Sequence, residues 1–264
     1  MKKHPLILCA GITSLLLSAC NPVKVPEAIL PVPEAKQVEW QKMETYAFVH
    51  FGLNTFNDRE WGYGDSDPKT FNPAKLDCEQ WVKTFVESGM KGVILTAKHH
   101  DGFCLFDSKL TEYKSTNTRF GRDIVREFLE AFRAEGIAVG LYFSLLDWSH
   151  PDFPKYADRH HPMRGREEYC GEQIDFDNYL NFMHGQVKEL VTGYGKLDLL
   201  WFDFSYDDMA GEKWRASDLI SMVRKYQPDV CIDNRLEGSG EKYGSIATAS
   251  PATKTAARPR YSTS

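Results

Sequence analysis

A single aspartate, Asp203, directly follows a short apolar run from Leu199 to Phe202. The run stands between a glycine-containing turn and a polar stretch, which predicts a strand buried on both faces, as in a parallel sheet. A buried carboxylate costs several kcal/mol unless it is paired, hydrogen-bonded or placed at the mouth of a site. In α/β folds, active sites open where strands end. Asp203 is therefore a candidate catalytic carboxylate, and capping of the next turn is its alternative role.

Histidines end two other apolar runs: His50 follows Ala47-Phe48-Val49, and His99 with His100 follows residues 92–98. His50 taken singly could equally be a core histidine. Because neighbouring residues of a strand point to opposite faces, His99 and His100 are expected to have different hydrogen-bonding roles rather than to chelate one metal ion. The sequence also lacks the H-E-x-x-H pattern, in which two histidines four residues apart on a helix bind a metal ion. We predict no metal and no other cofactor, and a metal-dependent hydrolase is the less favoured interpretation.

The segments that must position these groups alternate between strand and helix patterns. Five short apolar runs are predicted strands, at 47–51, 92–97, 137–143, 199–202 and 230–232. Between them lie four amphipathic stretches, at 73–88, 123–134, 179–191 and 219–226. Asn72 and Pro73 are predicted to be the N-cap and first residue of the first helix.

This alternation predicts a parallel α/β fold. A doubly wound sheet usually carries a glycine-rich phosphate loop after its first strand, whereas here that strand leads into His50-Phe-Gly-Leu-Asn54. A (β/α)8 TIM-type barrel is the better prediction. Only about five of its eight units can be counted, so the barrel is predicted to be incomplete.

Six short motifs occur in a fixed order along the chain. They are Phe-Val-His50-Phe-Gly, Glu60-Trp61-Gly-Tyr-Gly, Phe71-Asn-Pro, Thr96-Ala-Lys-His99-His100-Asp101-Gly-Phe, Tyr142-Phe-Ser with Asp147-Trp148, and Leu-Trp201-Phe-Asp203. From about Trp40 to about Thr248 the chain resembles the α-L-fucosidases of glycoside hydrolase family 29. The motif around His99 and His100 is the most specific of the set.

The resemblance implies a retaining exo-glycosidase on a barrel that is normally followed by a β-sandwich domain. It implies that Asp203 is the catalytic nucleophile. It also implies a fucose pocket lined by His50, Glu60, Trp61, His99, His100, Tyr142, Trp201 and Arg235. These residue types suit the chemistry, because imidazoles and a guanidinium bind sugar hydroxyls and keep a carboxylate ionised, while indoles pack on the apolar face of a deoxy sugar.

The family's general acid/base is a Glu several tens of residues after the nucleophile, and the chain departs from the pattern there. Its last Glu is Glu241, and neither Glu237 nor Glu241 matches a family motif. The acid/base Glu is therefore predicted to be absent from this chain. Proton transfer of this kind contributes roughly 10²–10⁴-fold, so natural glycosides are expected to react slowly and activated aryl fucosides to be the best substrates.

The N-terminus has the pattern of a secretory signal. Lys2 and Lys3 precede an apolar run, and Leu17-Ser-Ala-Cys20 resembles the lipobox of bacterial lipoproteins, with Cys20 as the lipidated residue. We predict a signal peptide at 1–20, a Pro-rich tether at 21–36 and a partial barrel at 37–248. The expected location is the periplasm or the cell surface, with a lipid anchor in the membrane.

The C-terminal segment 249–264 differs in composition from the rest. After Ile246 it lacks Val, Leu, Ile, Phe and Trp, so it cannot build a core. Either the reading frame departs from the native one near Ser250, or the tail is naturally disordered.

Four cysteines lie outside the signal: Cys78, Cys104, Cys170 and Cys231. They lack the spacing of a metal site, and we expect buried free thiols. Disulfide bonds between them are the alternative, and the sequence does not decide between the two.

The predicted function is hydrolysis of terminal α-L-fucosyl residues from oligosaccharides or glycoprotein glycans. The alternative is a catalytically inactive fucose-binding lipoprotein. Nucleic acid is not an expected partner, because the net charge is −5 and basic clusters are missing. The Glu60 motif resembles the α1,3/1,4-specific subgroup of the family, but linkage preference and oligomeric state are not readable from the sequence.

Overall fold

The computed structural model describes residues 32–207 and 209–236. Those residues form five β-strands and six α-helices. The strands are β1 (Tyr46–Val49), β2 (Gly92–Lys98), β3 (Ala138–Ser144), β4 (Leu199–Asp203) and β5 (Cys231–Ile232). The helices are α1 (Ala35–Lys42), α2 (Leu53–Phe56), α3 (Cys78–Glu87), α4 (Ile124–Ala134), α5 (Phe176–Gly193) and α6 (Ala216–Tyr226). The lipobox Cys20, Glu237, Glu241 and the tail lie outside the described residues.

All five strands belong to one sheet in the order β1-β2-β3-β4-β5, and every pair is parallel. The predicted parallel α/β architecture and its five units are confirmed. A closed barrel is not observed: within the described residues the sheet is open, because β1 and β5 each pair with one neighbour. Closure needs further strands between those two edges.

The two faces of the sheet have different partners. Val93, Leu95 and Ala97 alternate along β2 and join a large core with the apolar sides of α3 to α6. Ile94 points to the opposite face and belongs to a small second cluster. The members of that cluster are Ile94, Tyr142, Leu199 and Cys231, with Trp40 of α1 and Trp201 packed against it. The helices therefore bury one face, and the second face is left to α1 and to the cleft.

Helix α4 shows how the sequence sets the large core. Its apolar residues recur at helical spacing, and all of them are at most 1% exposed: Ile124, Val125, Phe128, Leu129 and Phe132. The Asp123 side chain accepts a hydrogen bond from the Arg126 N–H and begins the helix. The predicted helix is confirmed with nearly the same bounds.

The predicted start of α3 is wrong. Residues 73–76 form a turn closed by a hydrogen bond from the Leu76 N–H to the Pro73 carbonyl, 2.8 Å. The helix begins five residues later, at Cys78, because the Asp77 side chain accepts hydrogen bonds from the N–H groups of Glu79 and Gln80. An aspartate that satisfies two unpaired N–H groups is a stronger N-terminal signal than Asn72 before a proline.

The four cysteines of the described part are free thiols. Cys78, Cys104 and Cys231 are buried as expected, and Cys170 is exposed, which corrects the expectation for that residue. Within residues 32–207 and 209–236, none of the helices has the length and apolar character needed to span a bilayer.

Candidate active site

Asp203 is the last residue of β4, and its carboxylate accepts two hydrogen bonds and forms one ion pair. Oδ1 lies 2.8 Å from Arg235 Nη2 and 2.9 Å from the Phe204 main-chain N, while Oδ2 lies 2.7 Å from the Tyr142 hydroxyl. The side chain is only 15% exposed. The guanidinium and the two neutral donors together fix the orientation of the carboxylate.

The register of β3 and β4 brings these groups to one face. Tyr142 is paired with Trp201, and Ser144 with Asp203. Side chains two residues apart on a strand share a face, so Trp201 and Asp203 point the same way as Tyr142. The Tyr142 and Trp201 rings lie 6.4 Å apart, on the face away from α3 to α6. The cleft is thus a direct product of strand alternation.

Three histidines form a second wall. The ring centres of His99 and His100 lie 4.0 Å apart, and the ring of His50 lies 4.6 Å from that of His99. His99 also stacks near Tyr142, at 5.9 Å. The structure therefore brings the imidazoles and the Asp203 group to the same hollow.

The expectation that His99 and His100 point to opposite faces is wrong. Strand β2 ends at Lys98, and its register with β3 is irregular between Thr96 and Lys98. The strict alternation of side chains ends with the strand, so the two rings can lie side by side.

The two inner imidazoles are held neutral. Burial lowers the pKa of His99 to about 3, with His50 acting in the same direction, and burial also lowers the pKa of His100 well below its usual value. His100 Nδ1 lies 2.7 Å from Ser144 Oγ, whose own hydroxyl donates to the Leu146 carbonyl at 2.9 Å. The contact with Ser144 fixes the orientation of the His100 ring, which as a neutral imidazole has one donor and one acceptor nitrogen.

Glu60 and Trp61 lie on the loop after α2 and are exposed. The Trp61 ring lies 5.5 Å from His100 and 5.7 Å from Phe204, so it forms a third side of the hollow. The negative charge of Glu60 raises the pKa of His50, although burial outweighs it and lowers that pKa overall. Glu60 therefore lies at the rim near His50, and its described contacts do not reach Asp203.

A buried ion pair beneath the histidines was not anticipated from the sequence. Lys98 Nζ lies 3.1 Å from Asp147 Oδ2, and both side chains are at most 1% exposed. Asp147 also caps a turn, since its Oδ1 accepts hydrogen bonds from the N–H groups of Ser149 and His150. A lysine at the end of an otherwise apolar strand is the signal that could have indicated the pair.

Two further residues of the site went unnoticed. Phe204, directly after Asp203, has a φ of 80°, a conformation that costs an aromatic residue roughly 1–2 kcal/mol. Its ring lies 4.5 Å from His100, and its N–H donates a hydrogen bond to Asp203.

The second of these residues, Asp233, follows β5, and its carboxyl accepts a hydrogen bond from the Phe202 N–H at 3.0 Å. A polar residue directly after a predicted strand was the available signal.

A metal centre is not indicated within the described chain, where no group of three or more His, Cys, Asp or Glu side chains is placed to hold an ion. The described residues instead place one carboxyl group, Asp203, beside neutral imidazoles and aromatic rings. A carboxyl group at a strand end of a parallel α/β sheet is an arrangement that carbohydrate hydrolases use.

Comparison with known proteins agrees with this class. The sequence profile of the family described as "Alpha-L-fucosidase" matches residues 26–259. Alpha-L-fucosidase 1 of Arabidopsis thaliana is 39% identical over 213 residues, which cover 78% of this chain and 38% of the plant protein. The chain belongs to the α-L-fucosidase family, glycoside hydrolase family 29.

Solved structures show the same relationship. Alpha-L-fucosidase isoenzyme 1 from Paenibacillus thiaminolyticus superposes with a TM-score of 0.74 at 49% identity, over 78% of this chain and 52% of the other. AlfC from Lactobacillus casei, solved with its α-L-fucose product, gives a TM-score of 0.67 at 25% identity over 78% and 71%. The chain thus spans about two-fifths of the plant relative and about half of the Paenibacillus chain.

Proposed function

We propose that this chain carries the fucose-binding and nucleophile half of a retaining exo-α-L-fucosidase, with fucosylated glycans as substrates. The main support is the environment of Asp203, a carboxylate that forms an ion pair with Arg235, accepts hydrogen bonds from Tyr142 and the Phe204 N–H, and lies near three histidines. We further propose that the five β/α units are the first part of a barrel completed by additional strands, as in the longer relatives.

In the first step an Asp203 oxygen attacks the anomeric carbon of the fucosyl residue. A carbon–oxygen ester bond forms as the bond to the leaving oxygen breaks, and the leaving group takes the electron pair. In the second step water attacks the same carbon, which releases fucose with its original configuration and regenerates the carboxylate, while a proton passes to solvent.

The neutral imidazoles suit the sugar hydroxyls better than charged ones would. A neutral ring offers one donor and one acceptor, so His99 and His100 can each bind a hydroxyl in a defined sense. The indoles of Trp61 and Trp201 would cover the apolar face and methyl group of a deoxy sugar. His50, Glu60 and Arg235 complete the proposed pocket at its rim.

The leaving oxygen needs a proton unless it belongs to a good leaving group. No Glu follows Glu241 in this sequence. We therefore expect slow turnover of natural glycosides and faster turnover of nitrophenyl α-L-fucoside, whose phenolate leaves without protonation. Lipid anchoring through Cys20 and a periplasmic or surface location are part of the same proposal.

The test compares wild type, Asp203→Ala and Asp198→Asn in a nitrophenyl α-L-fucoside assay, beside L-fucose titration. Asp198 is the matched control, because it lies at the other end of β4 and accepts a hydrogen bond from the Val139 N–H. We expect Asp203→Ala to lose turnover by several orders of magnitude and Asp198→Asn to keep it. Azide should partly restore turnover in Asp203→Ala by attacking the anomeric carbon in place of the carboxylate.

Saturable fucose binding without any Asp203-dependent turnover would contradict the enzymatic proposal and would favour a sugar-binding protein. Equal activity in wild type and Asp203→Ala would show that another group is the nucleophile.

A further inference from the structure

Asp233 joins the two short strands that carry the Asp203 group. Its main-chain N–H donates to the Leu200 carbonyl at 3.3 Å, and its Oδ1 accepts from the Phe202 N–H at 3.0 Å. Strand β5 has only two residues, so the paired ladder ends here and the Asp233 side chain supplies the next hydrogen bond to β4. Phe202 directly precedes Asp203, which means that Asp233 holds the strand end on which the proposed nucleophile lies.

The second oxygen of Asp233 is in an unusual position for a carboxylate. Oδ2 is buried and lacks a hydrogen-bond partner within the described residues. Burial, and secondarily the negative charge of Asp203, raise the pKa of Asp233 to about 8, although the N–H groups of Phe202 and Arg235 act in the opposite sense. A protonated carboxyl fits this place, because a charged oxygen without a partner would be costly there.

Three titratable or charged side chains of the described chain face Asp233: Asp203 from β4, Arg235 from the segment after β5, and Tyr142 from β3. Of these, Arg235 carries the only full positive charge. Its Nη2 lies 2.8 Å from Asp203 Oδ1, and its side chain is 51% exposed. Arg235 therefore pairs with Asp203, and its positive charge also acts to lower the pKa of Asp233.

We propose that Asp233 is a positioning residue of the cleft: as a neutral acid it fixes the end of β4 and leaves the Arg235 guanidinium to Asp203. When Asp233 loses its proton, it becomes a second negative charge beside Asp203 and a competing partner for Arg235. The Arg235–Asp203 pair then loosens, and the donor set around the nucleophile is no longer complete.

This inference deepens the proposed function and depends on it only for its effect on sugar binding. If the form with ionised Asp233 does not bind, the apparent dissociation constant scales with the fraction of neutral Asp233. With a pKa of about 8, the affinity for L-fucose should fall about tenfold between pH 7 and pH 9.

The first experiment does not need a ligand. The full chain, labelled with 13C at aspartate carboxyl groups, is titrated by NMR from pH 6 to pH 10 as wild type, Asp233→Asn and Asp198→Asn. We expect the Asp233 signal of wild type to be that of a neutral acid at pH 6. We also expect the Asp203 signal to shift as Asp233 titrates, to stay constant in Asp233→Asn, and to follow wild type in Asp198→Asn. A carboxylate signal for Asp233 at pH 6 would overturn the proposal. This measurement uses only the wild-type protein, so it does not depend on whether the variants fold.

The second experiment measures L-fucose affinity of the same three proteins by calorimetry at pH 7, 8 and 9. The asparagine side chain has the shape of the neutral acid. The fucose affinity of Asp233→Asn should therefore match that of wild type at pH 7 and stay constant to pH 9. The fucose affinity of Asp198→Asn should fall between pH 7 and pH 9 as that of wild type does. An alkaline loss that persists in Asp233→Asn would overturn the proposal. If no protein binds fucose at any pH while the NMR shifts follow the expected pattern, the positioning role stands and the proposed sugar is wrong. Circular dichroism at each pH confirms that the variants are folded.

Discussion

Asp101 and Asp203 show how surroundings separate two aspartates of one cleft. Asp203 forms an ion pair with Arg235 and accepts hydrogen bonds from Tyr142 and Phe204, whereas Asp101 Oδ2 is buried without a partner within the described residues. Burial, reinforced by the charge of Asp147, raises the pKa of Asp101 to about 7. The polar partners of Asp203 suit the nucleophile role proposed for it, whereas burial favours the neutral acid at Asp101.

Asp101→Asn should make the protein more stable at pH 8 but not at pH 4. The folded-state pKa lies above the unfolded value of about 4, so the contribution of Asp101 is complete below pH 4 and is lost as pH rises through 7. The amide cannot ionise, which removes that loss and should add on the order of 2–4 kcal/mol to the free energy of unfolding at pH 8. Urea unfolding at the two pH values measures the difference.

Asp107→Asn is the matched control with the opposite sign. Hydrogen bonding to Lys109 lowers the pKa of Asp107 to about 2, so its stabilising effect is present above about pH 4 and fades as pH falls through 2. The control should therefore not gain stability at pH 8. A gain of Asp101→Asn that is equal at pH 4 and pH 8 would contradict a buried neutral acid at residue 101.

Residue types alone predicted candidate groups at the strand ends but not the contacts between them. Asp203 after an apolar run, and histidines after two others, pointed to a shared cleft because parallel strands end at one edge. The side-by-side arrangement of His99 and His100 was not predictable, because it depends on strand β2 ending at Lys98, directly before the two histidines. The Asp203–Arg235 ion pair joins residues 32 positions apart, and only the β4–β5 pairing brings them together.

At the scale of elements, periodicity predicted the type of each segment better than its ends. Helix α4 and strand β2 lie within about a residue of the predicted bounds because their apolar patterns are complete. Helix α5 begins at Phe176, three residues before the predicted start at Tyr179, because the Asp175 side chain accepts a hydrogen bond from the Asn178 N–H. Strand β5 is shorter than predicted, because its pairing with β4 covers only Cys231 and Ile232.

Asp77→Ala should lower the free energy of unfolding by about 1 kcal/mol, because two N–H groups at the start of α3 lose their acceptor. Thermal or urea unfolding followed by circular dichroism measures the change. Asn72→Ala is the control, since the helix does not begin there, and it should be neutral. A loss in Asn72→Ala that equals the loss in Asp77→Ala would show that the helix begins at Pro73 after all.

At the scale of the whole molecule, the order of strands explains why the cleft lies where it does. Strands in sequential order, with helices α3 to α6 packed in one core, leave the opposite sheet face for Trp40, Tyr142 and Trp201. In a closed barrel that face would be the interior. The aromatic residues Tyr46 and Phe48 of β1 are exposed, and further strands would have to cover them in a closed barrel. The sequence before Ser250 has no pattern that predicts such strands.

The fold class and the family were accessible from the sequence because they depend on local patterns and short motifs. Closure of the sheet was not, because it depends on residues beyond the fifth strand. The aligned part is 38% of the plant relative and 52% of the Paenibacillus chain, and we expect the proton donor for natural glycosides to belong to the additional part.

Covalent trapping tests the central claim most directly. An activated 2-fluoro-fucoside forms the ester with the nucleophile, and its fluorine slows the hydrolysis of that ester, so the labelled peptide can be identified by mass spectrometry. The leaving group needs no protonation, which makes the test independent of an acid/base residue. We predict a single fucosyl ester on the peptide that contains Asp203, prevented by excess L-fucose and missing in Asp203→Asn. An ester on another carboxyl group, or an unlabelled chain that nevertheless binds L-fucose, would contradict the account.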